Sequence, residues 1–168
     1  AVDEAISDLM RKILHHPHFK ELESSWRSLY FLVRSVETNS KLKIFLLDIC
    51  KKELSSKLKS PDESVNADFY KVFENDENWA LICGNYNFQI SVDDVALLMR
   101  LATIASSINT PFISYMNLQV LQTQSISEIP DFNNLSFFEN TAQKKLWNAL
   151  RNLPESGFIG LLIQKLFI

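Results

Sequence analysis

Residues 79–116 read WALICGNYNFQISVDDVALLMRLATIASSINTPFISYM, and this stretch decides the fold. The apolar run Trp79–Cys83 predicts a strand that continues towards residues 86–88. Ser91 followed by Asp94 resembles a capping box with Asp in place of Glu, so a helix begins there. Asn109-Thr110-Pro111 ends that helix, and residues 112–116 predict a further strand. A helix of this length between two strands indicates a crossover and parallel pairing.

The flanking sequence adds two strands and several helices. A nearly continuous apolar run at residues 42–49 predicts a strand covered on both faces, and residues 158–163 predict a last strand. Helices are predicted at residues 51–59, around residues 65–73 and at about residues 140–153. The order favours an α/β fold, in which an N-terminal helical hairpin precedes a mainly parallel or mixed sheet of about four strands with helices packed on it.

The first 37 residues predict the hairpin. Val2, Ile6, Leu9 and Ile13 recur at helical spacing, and Pro17 suits the first turn of a second helix. The second helix carries the clearest pattern of the chain, with steps of three and four between its apolar residues: Phe19, Leu22, Trp26, Leu29, Val33 and Val36. We expect one α/β domain over residues 1–168, with the hairpin at 1–37 and the α/β core at 41–168.

The stripe on the second helix leaves two roles open for Trp26. Tryptophan is enriched at the energetic centres of interfaces, so this side chain could anchor a partner. A continuous apolar stripe equally suits the protein's own core. The sequence favours neither role over the other.

Glycine is scarce, which excludes several classes of enzyme. The chain has 3 glycines, whereas average usage of about 7% would give about a dozen. No pair among Gly84, Gly157 and Gly160 fits a dinucleotide loop, a Walker A loop or a nucleophile elbow. The composition therefore gives no sign of a cofactor.

Charge and hydropathy argue against nucleic acid and membrane as partners. The net charge is −3 and the pI is about 5.6. No signal sequence and no apolar run of about 18 residues is present, which predicts a cytosolic location without membrane insertion. Residues 11–59 carry eleven bases and five acids, and residues 60–99 carry one base and eight acids. This asymmetry suits solvated helix faces, or alternatively charge-complementary packing against a neighbour.

Few residues suggest chemistry. His15, His16 and His18 surround a proline and point in divergent directions, which favours a helix corner over a zinc site. Cys50 and Cys83 each follow an apolar run and are expected to be reduced, buried thiols. The alternative to a structural protein is a small cytosolic enzyme or ligand-binding domain with a site near Cys83 and Gly84, where a parallel strand ends.

The order of motifs resembles one known family. The pattern Ile13-Leu14-His15-His16-Pro17-x-Phe19-x-x-Leu22-Glu23-x-x-Trp26-Arg27-x-Leu29 is similar to the N-terminal signature of the large sheath subunit of bacterial type VI secretion systems, the TssC/VipB/EvpB family. Later segments resemble the family in the same order and supply the remaining motif residues: Gly84, Tyr86, Phe88, Trp147, Arg151 and Gly160.

The resemblance implies a bacterial cytoplasmic structural protein without catalytic residues, cofactor or metal. It implies three partners: a small sheath subunit of the TssB/VipA type, further copies of the large subunit, and an inner tube of Hcp rings. Contraction of such a sheath drives the inner tube outward. Because the family's chains are several hundred residues long, the sequence resembles one domain of a longer subunit.

Overall fold

The helical hairpin forms as its periodicity predicts. The computed structural model of the chain describes residues 2–59, 71–73, 79–117 and 141–163. These residues fall into two compact units, one within residues 1–47 and one within residues 48–165. In the first unit, α1 spans Val2–Leu14 and α2 spans Pro17–Ser35, and the histidine corner lies between them. Pro17 begins α2 because its missing N–H would have no partner in the first helical turn.

The segment after α2 differs from its prediction. Residues 42–49 form no strand, although the apolar run predicted one covered on both faces. The Asn39 side chain accepts hydrogen bonds from the backbone N–H groups of Lys41 and Leu42, so a turn opens this segment. Leu46 and Leu47 are exposed. An apolar run predicts burial. A strand also needs a second strand to pair with, and the local pattern does not show whether one is present.

The second unit is an α/β unit with a parallel sheet. Its elements are α3 (Lys51–Lys59), β1 (Ile82–Phe88), α4 (Val92–Ser107), β2 (Phe112–Met116), α5 (Ala142–Arg151), a short 3-10 helix (Pro154–Phe158) and β3 (Ile159–Leu162). The strand order is β1-β2-β3, and both pairings are parallel. The α/β class is confirmed, with three strands among the described residues where about four were predicted. Most of the helix predicted around residues 65–73 lies outside the described residues.

The ends of α4 follow from local chemistry. Ser91 is the N-cap, and its hydroxyl accepts a hydrogen bond from the Asp94 N–H at 3.2 Å. At the other end, Asn109 adopts φ 52° and the Thr110 N–H returns to the Ala105 carbonyl. Asparagine tolerates this left-handed conformation better than most residues, so it ends the helix and turns the chain into β2.

The core of the second unit is centred on α4. Seven residues of this helix are buried: Val95, Leu97, Leu98, Leu101, Ala102, Ile104 and Ala105. They pack with buried residues from α3, both long strands and α5, including Leu54, Phe88, Phe112 and Leu150. Full burial of a Val, Leu or Phe side chain contributes about 1.5–3 kcal/mol, so α4, with five large apolar side chains buried, contributes strongly to the stability of this unit.

A polar clamp joins α3 to the end of β1 and the start of α4. The Lys51 ammonium donates to the Asp94 carboxylate and to the Asn87 carbonyl, both at 2.7 Å. It also lies 4.6 Å from the centre of the Phe88 ring. The Asp94 carboxylate further accepts the Gln89 N–H at 2.7 Å. Both charged side chains are partly buried, with 28% of Lys51 and 14% of Asp94 exposed, so each helps to offset the desolvation of the other.

We predict that Lys51→Met destabilises the second unit by roughly 1–3 kcal/mol, because the Asp94 carboxylate would lose its counter-charge. Urea unfolding of the chain measures the change. Lys52→Met is the matched control, since Lys52 is exposed and should change stability by less than about 0.5 kcal/mol. Equal effects of the two substitutions would contradict the role of the clamp.

Candidate functional site

The apolar stripe of α2 faces outwards. Leu22, Trp26 and Val33 are exposed, and Trp26 keeps 61% of its surface accessible. No residue of α2 is buried. The partly covered residues of the helix are Glu23, Ser24, Ser25, Ser28, Leu29 and Leu32, and the Ser28 hydroxyl donates to the Ser24 carbonyl at 2.8 Å. Leu29 is thus a partly covered member of the stripe, whereas Trp26 is exposed, which supports an interface for Trp26 rather than a core position.

Glu23 and Arg27 flank Trp26 with a defined ion pair. The Arg27 guanidinium donates from Nε at 3.0 Å and from Nη2 at 2.7 Å to the same Glu23 oxygen. The pair is one helical turn apart with the acid first, which is the favourable order. Exposed pairs of this kind contribute little to stability, on the order of 0.3–0.5 kcal/mol. Their effect is to hold two charged groups beside the exposed indole.

An open groove adjoins the surface of α2. It measures about 640 Å³ and has a lining of mixed polarity: Leu29, Val33, Thr38, Asn39, Leu42, Lys43, Ile44 and Leu46. The groove lies entirely within the first unit. Leu29 and Val33 belong to the same stripe as Trp26, so the groove adjoins that stripe.

Side chains pack closely around Gly84. Gly84 lies in β1, where the pairing with β2 shifts register between Cys83 and Asn87. A Cβ atom at Gly84 would lie 2.5 Å from Cζ of the buried Phe112 ring. The buried Ser114 hydroxyl lies 2.8 Å from the carbonyl oxygens of both Gly84 and Tyr86. Because the strand pairing is irregular here, a side chain rather than the backbone of β2 serves these carbonyls. The close approach of the Phe112 ring therefore requires glycine at this position.

Cys83 has the wrong properties for a nucleophile. Partial burial raises the pKa of its thiol, which disfavours the reactive thiolate. No base among the described residues hydrogen-bonds to the thiol. Both Cys50 and Cys83 are free and exposed, so the prediction of buried thiols was wrong. Cys83 lies in β1, where side chains alternate between the two faces, whereas Cys50 ends a segment that forms no strand.

Tyr86 has a structural role at the same edge. Its hydroxyl donates to the Ile49 carbonyl at 2.7 Å. Burial raises the pKa of Tyr86 to about 12, and Cys50, Glu53 and Asp48 add to the shift. A phenol with this pKa remains protonated and serves as a fixed donor. Tyr86 and Phe88 also meet edge to face at 6.4 Å, which strengthens the packing of β1.

The histidines do not form a metal site. His16 and His18 stack at 5.4 Å between ring centres. No cluster of three or more metal-ligating side chains is found in the described part of the chain. Nor does any helix described there combine the length and hydropathy that a membrane span requires.

The remaining motif residues belong to the α/β unit. Trp147 of α5 is half-buried and packs against the core, whereas Arg151 is exposed at the end of that helix. Gly160 lies in β3, where a Cβ atom would be 3.3 Å from Ile113. The motif residues thus separate into an exposed set on α2 and a set that mainly packs the sheet. Sequence reasoning missed Ser114, because nothing in the local pattern signals a β-bulge.

The exposed apolar stripe of α2 is the feature of the described residues that most resembles a protein interface. The whole chain, residues 1–168, matches the family model VipB, described as EvpB/VC_A0108, tail sheath N-terminal domain. The chain belongs to this family. It is also 32% identical over 174 aligned residues to the type VI secretion system sheath protein TssC1 of Pseudomonas aeruginosa PAO1. That alignment covers 98% of the chain and 35% of the relative, so the chain spans about a third of the relative's length.

We predict that Gly84→Ala destabilises the second unit by about 1–3 kcal/mol, because the new methyl group would overlap the buried Phe112 ring. Thermal or urea unfolding reports the change. Gly157→Ala is the matched control, since no atom lies within 4 Å of the added methyl group. If both substitutions were neutral, the space around Gly84 would be larger than the structure shows.

Proposed function

We propose that the protein containing this domain is a structural subunit of a bacterial type VI secretion sheath in the cytoplasm. In this proposal it assembles with the small sheath subunit and with further copies of itself around an Hcp inner tube. Contraction of the sheath then drives the inner tube outward. The role is mechanical rather than enzymatic, which agrees with the close packing around Gly84 and with the raised pKa of the Cys83 thiol.

The observation that carries the proposal is the outward apolar surface of the hairpin. Neither α1 nor α2 has a buried residue, although both have apolar stripes at helical spacing. Contiguous apolar surface of this kind marks an interaction site in a soluble protein. A helical partner with its own apolar stripe would cover it by side-chain interdigitation, as in a four-helix bundle. We assign this surface to the small sheath subunit.

The α/β unit supplies a different property. Its helix α4 is buried on several sides, and its strands are held in parallel register by close packing around Phe112. Such a core transmits force with little deformation, because close-packed interiors have low compressibility. A contractile assembly needs rigid bodies that move relative to one another while their interfaces repack. The unit suits the role of one rigid body.

We predict that Trp26→Ala in the full-length protein prevents or strongly reduces co-assembly with the small sheath subunit, while the folded state changes by less than about 0.5 kcal/mol. Co-expression followed by affinity capture and negative-stain electron microscopy measures tubule formation. Unfolding of the isolated chain measures stability. The reason is that Trp26 offers a large exposed apolar surface to a partner and little to its own unit.

Two further variants keep the outcome interpretable. Val92→Ala removes exposed apolar surface from α4 and should leave assembly intact. Trp147→Ala should cost about 2 kcal/mol of stability, because this tryptophan packs against the core. Normal tubules from Trp26→Ala, or absence of tubules from the wild-type pair, would refute the assignment of the hairpin surface.

A further inference from the structure

A row of exposed side chains crosses α2 at intervals of four residues. Leu22, Trp26 and Tyr30 are exposed by 58%, 61% and 62%, and Arg34 is exposed at the next step. Side chains four apart on a helix are neighbours, and such rows are the ridges that fit into the grooves of a second helix. These four residues form what we call the α2 ridge, which extends for about 18 Å along the helix.

The chemistry of the α2 ridge changes from one end to the other. Its first two residues are apolar, Tyr30 joins an apolar ring to a hydroxyl, and Arg34 is charged. Tryptophan, tyrosine and arginine are the residue types most enriched at the energetic centres of protein interfaces. Their succession along one ridge is typical of the centre of an interface rather than of its rim.

Tyr30 holds the guanidinium of Arg34 in place. The guanidinium carbon Cζ lies 5.6 Å from the centre of the Tyr30 ring, and Nη1 donates to the Tyr30 hydroxyl at 2.8 Å. The opposite edge of the guanidinium, formed by Nε and Nη2, has the geometry with which arginine binds both oxygens of a carboxylate. A side chain that is already oriented loses less conformational entropy when it binds.

Arg34 has no carboxylate partner among the described residues. Arg27 differs, because Glu23 neutralises it within α2. Glu37 is the acidic residue nearest to Arg34 in sequence, but it lies beyond the end of α2 and forms no ion pair with Arg34. An interface that covered this guanidinium with apolar groups alone would desolvate the charge without compensation. The α2 ridge therefore fits a partner that brings its own negative charge.

We propose that the α2 ridge docks a helix that presents an apolar groove to Trp26 and a carboxylate to Arg34. In its choice of partner this inference rests on the proposed function, so the helix belongs to the small sheath subunit. The Cα atoms of Trp26 and Arg34 are about 12 Å apart along the helix axis. The two contacts together fix the register of the partner helix, and the carboxylate selects it among other apolar helices.

Substitutions of Arg34 in the full-length protein test the carboxylate contact. Binding to the purified small sheath subunit is measured by biolayer interferometry. Arg34→Met keeps the apolar stem and should weaken binding about tenfold, because the partner's carboxylate loses its counter-charge. Arg34→Glu should weaken binding about a hundredfold, because two carboxylates then face each other.

Lys20→Glu is the matched control. It makes the same change of charge on the same helix, but Lys20 lies about 160° around α2 from Leu22 and so faces away from the α2 ridge. Its binding should equal that of the wild type. Urea unfolding of the 168-residue chain should give the wild-type midpoint for the Arg34 variants, because this side chain is exposed.

A charge-reversal scan of the small subunit identifies the carboxylate. One aspartate-to-lysine or glutamate-to-lysine substitution there should restore the binding of Arg34→Glu to within about threefold of the wild type. Wild-type binding by Arg34→Glu, or a scan without a restoring position, would overturn the inference. Loss of binding in Trp26→Ala would then still support the hairpin surface as the contact. A wild-type pair that does not bind would overturn the inference and the proposed function together.

Discussion

Burial of α4 is the constraint on which the α/β unit depends. The helix is covered by α3, by the strands and by α5, so its sequence is apolar on more than one side. The positions of its two ends determine where β1 ends and where β2 begins. Asp94 combines three tasks at the first end, because its backbone N–H is capped by Ser91 while its carboxylate binds Lys51 and the Gln89 N–H. One carboxylate thereby connects α3, the end of β1 and the start of α4.

The helices of the hairpin, in contrast to α4, are not buried. They have strong apolar stripes, yet no residue of either helix is buried. Isolated helices of this length are marginal in water, and most helices in proteins gain their stability from packing of an apolar face. The described residues leave the stripes of both hairpin helices without such packing, which is why the proposed function places them at an interface.

The end of a parallel strand is the usual place to look for a ligand in an α/β protein. The structure instead places Cys83 and Gly84 near the start of β1 (Ile82–Phe88), so the prediction that a strand ends there was wrong, and side chains pack closely around Gly84. The ring of Phe112 fills the space above Gly84, the Ser114 hydroxyl serves the carbonyls of an irregular strand pair, and Tyr86 anchors Ile49. Glycine at position 84 reflects close approach of a side chain to the backbone rather than a cradle for phosphate.

Much of the fold could be predicted from local signals in the sequence. The periodicity of α2, the cap at Ser91, the stop at Asn109 and the strand at residues 112–116 could all be predicted, because each depends on neighbours in sequence. The order of motifs also identified the family. Tertiary structure alone decided that residues 42–49 form no strand, that Cys50 and Cys83 are exposed, and that the stripe containing Trp26 faces outwards. The physical reason is that a pattern shows which face of an element is apolar, whereas only the packed chain shows what covers that face.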